Sequence, residues 1–306
     1  MLGDVDTAVI LEVALNGTTT RERNPRVPRT PAEVAEQAVD VLDAGAAIVH
    51  HHNDEPMFTT DGVHAVEPYL AAWDPVLAAH PDALLYPTMA AGARGIPVER
   101  RWAHVAELGR RGHMTLVDPG SVNVGLLDDG TCPGPAAPEP YQNSFADTEY
   151  MFARTAELGA APSISIFEPG FLRTALTLHR HGRVPPGAIV KLYFADRLQF
   201  GLPPTPAALE AYLELLEPSG LPWSVAVLGG DVVGSGLAEL AVRRGGHLRV
   251  GLEDFDDGRG GTPSNRELLD GALRALDRVG ARPASPADAR DILGITRRAV
   301  PDTPGN

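Results

Sequence analysis

The sequence predicts a single α/β domain, a (β/α)8 TIM barrel, and three observations lead there. Short β-branched runs alternate with longer amphipathic segments, eight times over, which is how a parallel sheet covered by helices reads in sequence. The eight pairs occupy roughly 270 residues, close to the usual size of such a barrel, and no linker divides the 306 residues into two domains. The first strand–helix junction, Asn16-Gly17-Thr18-Thr19-Thr20, lacks the GxGxxG spacing of a dinucleotide-binding sheet, which disfavours the doubly wound alternative.

Each element has a local reason. The strands are expected at 8–14, 46–52, 83–87, 114–118, 163–167, 188–194, 223–228 and 247–252, all short and rich in Val, Ile, Leu or aromatic residues. The helices are expected at 31–44, 62–79, 97–111, 147–158, 170–180, 206–215, 233–244 and 265–278. Thr30-Pro31-Ala32-Glu33 opens the first: the Thr side chain accepts from a first-turn N–H, Pro has no N–H to satisfy, and Glu33 completes a capping box. Thr205-Pro206 repeats that start, and Ser285-Pro286-Ala287-Asp288 announces one further helix over 286–295. The Pro- and Gly-rich stretch 130–140 reads as a long loop after the fourth strand, on the face where barrel enzymes build their sites.

Composition excludes several classes. A net charge of -14 argues against wrapping a nucleic-acid backbone, and no apolar run reaches the roughly 18 residues a membrane span needs. The acidic Met1-Leu2-Gly3-Asp4-Val5-Asp6 lacks the basic start of a signal peptide, so a cytoplasmic protein is expected. A lone Cys132 excludes an internal disulfide or a multi-Cys zinc site. Lys191 is the only lysine among 26 basic residues.

Histidine carries the sharpest signal. In His50-His51-His52, at the end of the second strand, alternation turns His50 and His52 to one face and His51 to the other. Two imidazoles on one face make a bidentate metal donor where barrels place catalysis, although an isolated HxH is as often a solvated strand end. His179-Arg180-His181 ends a helix, where i and i+2 side chains diverge, and the remaining histidines fall mostly in helices or turns. A third donor stands at the end of the eighth strand, which in a closed barrel is separated from the second only by the first. There Arg249, Gly251 and Glu253 share a face, and His50, His52 and Glu253 would form a His2Glu set with an open position, suited to Zn2+. Asp254 is then a candidate general base, with Arg249 placed to hold it. Alone, the acidic run 253–257 would read as a solvated turn.

These segments together resemble the zinc-dependent β-keto acid cleavage enzymes. The resemblance spans nearly the whole chain and rests on Asn24-Pro25-x-Val27-Pro28-x-Thr30-Pro31-x-Glu33, Gly45-Ala46-Ala47-Ile48-Val49-His50-x-His52, Gly120-Ser121-x-Asn123 and Arg249-Val250-Gly251-Leu252-Glu253-Asp254, in that order. It implies a (β/α)8 barrel assembled as a homotetramer, with zinc on His50, His52 and Glu253, Asp254 as catalytic base and Arg249 activating it. It further implies acetyl-CoA as co-substrate and conversion of a β-keto acid into acetoacetate and a new acyl-CoA. The expected substrate-binding residues are Thr88, Gly120 and Ser121, which can hold a carboxylate through hydroxyl and backbone N–H groups. Gly229 and Gly230 are expected to open the seventh helix and to receive a CoA phosphate, a tight turn needing Gly being the competing explanation. A cluster of Arg21, Arg23, Arg26 and Arg29 is expected to be a solvated loop that could also attract CoA.

The chain departs from the family at Asn53, where an Arg is usual, and at His51, usually aliphatic. Thr19 and Ser165 stand where the family has Glu, and Glu168 where it has Asp. Two missing negative charges point to a neutral or anionic β-keto acid. Two other readings compete: a Schiff-base aldolase built on Lys191, and a barrel that binds a ligand without turnover. A metal-dependent amidohydrolase is disfavoured, since strands 163–167 and 188–194 contain no His.

Overall fold

Eight parallel strands form one sheet: β1 (Leu11–Ala14), β2 (Ile48–His51), β3 (Leu84–Pro87), β4 (Met114–Val117), β5 (Ala161–Ile166), β6 (Ile189–Ala195), β7 (Trp223–Leu228) and β8 (His247–Val250). The computed structural model describes residues 7–57, 61–91, 95–123, 127–128, 132–133 and 140–295. In the sheet the order runs β3-β2-β1-β8-β7-β6-β5-β4. Its two ends meet where Leu85 bridges His113 in parallel, and this junction turns the sheet into a single-domain (β/α)8 barrel. The junction needs a glycine: a Cβ on Gly112 would run into the carbonyl oxygen of Leu85 and the Trp73 ring.

The helices α1 (Pro31–Asp43), α2 (Glu67–Ala79), α3 (Ala103–Gly112), α4 (Phe145–Leu158), α5 (Pro169–Arg180), α6 (Pro206–Leu216), α7 (Leu237–Arg243) and α8 (Asn265–Val279) cover the outside, and α9 (Pro286–Leu293) follows. The capping box at Thr30 forms as read, as does that at Ser285, and Thr205 caps α6. Among the described residues no helix is long and apolar enough to cross a membrane.

Tertiary packing moved several boundaries. The expected strand 8–14 is broken at Ile10, whose N–H donates to His247 Nδ1 (3.1 Å), while Ala8–Val9 pairs with Arg282–Pro283. The expected helix 97–111 is two pieces, Val98–Arg101 and α3, with Trp102 between them donating its indole N–H to the Leu116 carbonyl (3.0 Å). The helix expected at 62–79 starts only at Glu67. That expected at 233–244 starts at Leu237, because Asp231 first closes a turn by accepting from the Val233 and Ser235 N–H groups. Of the loop expected at 130–140, residues 130–131 and 134–139 lie outside the described residues.

A barrel interior is normally filled by branched apolar side chains. Here part of it is charged. Glu12 of β1 accepts from Arg249 Nη1 (2.8 Å), from Lys191 Nζ (3.4 Å) and from the Tyr86 hydroxyl, all deeply buried. Lys191 also donates to the Tyr86 oxygen (2.6 Å) and to Ser163 Oγ (3.1 Å). Burial works to raise the Glu12 carboxyl, but Lys191 and Arg249 outweigh it and hold the group down at about 2.

Removing one charge from such a network leaves the buried charges that remain unbalanced, at a cost of up to about 3–5 kcal/mol. Lys191→Met is therefore expected to lower urea stability by that order, and adding Glu12→Gln to recover part of the loss. Acid should also destabilise the fold, because burial pushes His104 and His247 down to about 4. The unfolded chain takes up these protons from about pH 6.5 downward and the native state only near pH 4, so stability falls as pH drops through that window. The slope is about 1.4 kcal/mol per pH unit for each histidine, readable from urea midpoints at pH 7, 6 and 5.

Candidate active site and metal centre

A cavity of about 570 Å³ opens at the C-terminal ends of the strands, lined by His50, His52, Arg249, Glu253 and Asp254 among others. The second strand delivers the histidines as alternation requires. His51 points outward, where it accepts from the Trp73 indole (2.7 Å) and its Nδ1 meets the His52 carbonyl (2.9 Å). It is a satisfied core histidine. His52 lies just past the strand, and Asn16 clamps its backbone by accepting from its N–H (2.8 Å) and donating to its carbonyl (3.0 Å).

Glu253 is brought to the same point by two glycines. Gly251, at φ +135°, lies so close to β1 that a Cβ would collide with Ala14, and the Glu253 N–H then bonds the Ala14 carbonyl (3.2 Å). A Cβ on Gly17 would occupy the space of the Glu253 side chain. The consequence is convergence: one donor atom each from His50, His52 and Glu253 lies within 4.8 Å of the others.

The protons at this point identify what it can hold. His50 Nδ1 faces the Tyr86 carbonyl (3.1 Å), which can only accept, so Nδ1 carries the hydrogen and Nε2 presents a lone pair. That lone pair faces Glu253 Oε2 at 3.2 Å, and His52 Nε2 faces Oε1 at 3.5 Å. Glu253 Oε2 is buried without a hydrogen-bond donor among the described residues. The His50 lone pair and the Glu253 Oε2 lone pairs repel one another, and a cation between them resolves the conflict. The three residues fit a divalent metal.

Beside them Arg249 grips Asp254 with two parallel bonds, Nε to Oδ2 (2.7 Å) and Nη2 to Oδ1 (3.0 Å), and Nη2 also lies 2.9 Å from Glu253 Oε1. Burial and the neighbouring Glu253 raise the Asp254 carboxyl above its usual range, only partly offset by Arg249. A buried carboxylate of raised basicity, oriented by a guanidinium, can accept a proton from a substrate in the cavity.

The other expected site residues divide. Thr88 lines the cavity, with its hydroxyl in only weak contacts to Met57 Sδ (3.8 Å) and the Met89 carbonyl (3.5 Å). Gly120 and Ser121 are not on the cavity wall: Gly120 abuts the Phe171 ring, and the Ser121 hydroxyl is spent on the backbone of Asn143. Gly229 borders the cavity, but the expectation that Gly229-Gly230 opens the seventh helix is corrected. Both N–H groups donate to the Asp254 carbonyl (2.8 and 3.3 Å), so the turn positions Asp254 and leaves neither amide for a phosphate. Arg21, Arg23, Arg26 and Arg29 pair with Glu33, Asp256, Glu267 and Asp54, which fastens the first loop to its neighbours.

Thr19 donates to the Leu252 carbonyl (2.7 Å), Ser165 lines the cavity, and Glu168 accepts from the Gly201 N–H (2.9 Å). Asn53 turns away, with its N–H on the Tyr69 hydroxyl (3.2 Å) and its amide on Glu55. Sequence reasoning missed Asn16, Glu12, Tyr86 and Asp118. Glu12, a carboxylate inside an apolar strand, was a visible signal; Asn16 had none beyond its place at a strand end.

A profile of the β-keto acid cleavage enzymes matches residues 8–295. The 3-keto-5-aminohexanoate cleavage enzyme of Acetoanaerobium sticklandii is 28% identical over 296 residues, covering 94% of this chain and 99% of that protein. The 3-dehydrocarnitine:acetyl-CoA trimethylamine transferase of Rhizobium meliloti is 27% identical, covering 91% and 93%. Among solved structures, the binary complex of ObcA with oxaloacetate superposes with a TM-score of 0.63 at 19% identity, over 89% of this chain and 68% of that one, a likeness of fold. With its barrel and its His-His-Glu centre in the places the motifs indicated, the chain belongs to the β-keto acid cleavage enzyme family.

Proposed function

We propose that this protein transfers an acyl group from a β-keto acid to coenzyme A, consuming acetyl-CoA and releasing acetoacetate, on a zinc centre made by His50, His52 and Glu253. The observation that carries the reading is the convergence of three potential metal donors, with the His50 lone pair facing Glu253, beside a carboxylate held by two bonds from Arg249. Two imidazoles and a carboxylate with an open position suit Zn2+, which when bound supplies Lewis-acid polarisation of a keto oxygen.

The protein's own groups do the remaining work. Asp254 removes a proton from the carbon between the keto and carboxylate groups, and Arg249 holds its carboxylate in line. The resulting carbanion takes the acetyl group and CoA leaves as thiolate. Attack of that thiolate on the original keto carbon breaks the carbon–carbon bond, forms the new acyl-CoA and releases acetoacetate after reprotonation. R–CO–CH2–COO⁻ and acetyl-CoA thus exchange acyl groups with no net redox change. We assign the substrate carboxylate to Thr88, which lines the cavity. The cavity mouth carries Arg23 and Arg197, both half exposed, which offer a path for CoA phosphates in place of the Gly229-Gly230 turn. We read the acid as neutral or anionic beyond its keto group, since Thr19 and Ser165 add no charge and Lys191 and Arg249 line the same cavity.

Lys191 suits no Schiff base, because its ammonium already donates to Tyr86, Ser163 and Glu12. Borohydride added with a β-keto acid should leave Lys191 unmodified by mass spectrometry; a covalent adduct there would sink the metal reading. Asp254→Asn should retain one zinc per chain by elemental analysis while acetoacetate formation from a β-keto acid panel and acetyl-CoA drops about 10²- to 10⁴-fold. His50→Ala or Glu253→Gln should lose the metal and the activity together. Unchanged turnover in Asp254→Asn, or a 5-amino-3-keto acid as best substrate, would contradict the base assignment or the charge reading respectively.

A further inference from the structure

The mechanism leaves one buried acidic group without a task. Asp118 directly follows β4, across the ring from β8 and two strands from β2, and it lines the cavity at 5% exposure. Its placement is built rather than incidental. Tyr141 donates to Oδ2 (2.5 Å), Asn143 donates to the backbone carbonyl (3.1 Å), and Arg101 donates to that Asn143 (3.0 Å). The Ser165 hydroxyl also faces the carboxyl. Oδ1, however, is buried with no hydrogen-bond partner among the described residues. A buried acceptor left unmade is costly, and a ligand donor that meets it recovers that cost.

We infer that Asp118 sets substrate choice by accepting a hydrogen bond from a hydroxyl group on the substituent that the keto acid carries beyond its keto carbon. This rests on the function proposed above and narrows its substrate class. The cavity wall that carries Asp118 is otherwise mostly apolar, with Leu116, Val122, Tyr141, Phe167 and Tyr193 on it, and a keto acid anchored at the metal donors would lay its tail there. An anionic tail would meet the Asp118 carboxylate. An ammonium tail would be drawn to Asp118 but would also approach Lys191, whose charge already acts on that carboxyl and which lies over the neighbouring Tyr193 ring (5.4 Å). A neutral donor satisfies Oδ1 without either conflict.

The test measures binding to the zinc-loaded protein by calorimetry without acetyl-CoA, using 5-hydroxy-, 5-methyl- and 5-amino-3-oxohexanoate, which are matched in size. The hydroxy acid should bind at least about tenfold more tightly than the methyl acid. Asp118→Leu, which keeps the branched shape but has no acceptor, should bring the two within about twofold, and Asp118→Asn, which keeps an acceptor oxygen, should preserve most of the preference. Equal affinities in the native protein, a preference that survives in Asp118→Leu, tightest binding of the amino acid, or no binding of any of the three would overturn the inference. Ranked binding followed by no acetoacetate when acetyl-CoA is added would instead sink the functional reading while leaving the role of Asp118 intact.

Discussion

One guanidinium organises the centre of this barrel. Arg249 reaches Glu12 in the interior, Glu253 at the metal donors and Asp254 at the cavity wall, so a single cation on β8 ties together three carboxylates on three levels. Glu12 and Asp254 are buried and Glu253 nearly so, and the three could not stay ionised near one another without it. Because arginine offers five donors in a rigid plane, the same contact neutralises and orients; a lysine could do only the first. Glu253 of the candidate metal centre and Asp254 are held side by side by this residue.

The interior network extends that constraint. Lys191 supplies the second cation that Glu12 needs, and Tyr86 connects the two, since its hydroxyl bonds both while its carbonyl fixes the tautomer of His50. The polar floor of the barrel and the metal centre are therefore one hydrogen-bonded system. Its members come from β1, β2, β3, β5, β6 and β8, strands that the closed ring brings together.

Much of this was legible in the chain itself. The alternation of strand and helix, the Ser and Thr caps and the absence of a dinucleotide fingerprint led to the right architecture, because they report local chemistry that tertiary packing does not reverse. The pairing of His50 with His52 followed from strand parity, and Glu253 from the adjacency of β8 and β1. Less legible were groups whose role depends on an unseen neighbour. Gly229 and Gly230 read as an anion-binding turn, yet their amides are used by the carbonyl of Asp254. Ser121 read as a carboxylate ligand, yet its hydroxyl closes on Asn143. Hydroxyls and amides bind whatever is nearest, and nearness is what a sequence does not contain.

What the sequence determined by itself is the periodic part: eight strand–helix units, the faces that His50, His51 and His52 present, and the acidic pair that ends β8. These depend on the two-residue repeat of a strand and the capping chemistry of a helix. Ring closure at Leu85 and His113, the depth at which Lys191 and Glu12 meet, the tautomer of His50 and the unpaired oxygen of Asp118 were decided only by the tertiary structure. Each of these requires residues from different strands to share a buried space, where the exclusion of water makes every polar atom depend on the particular neighbour it is given.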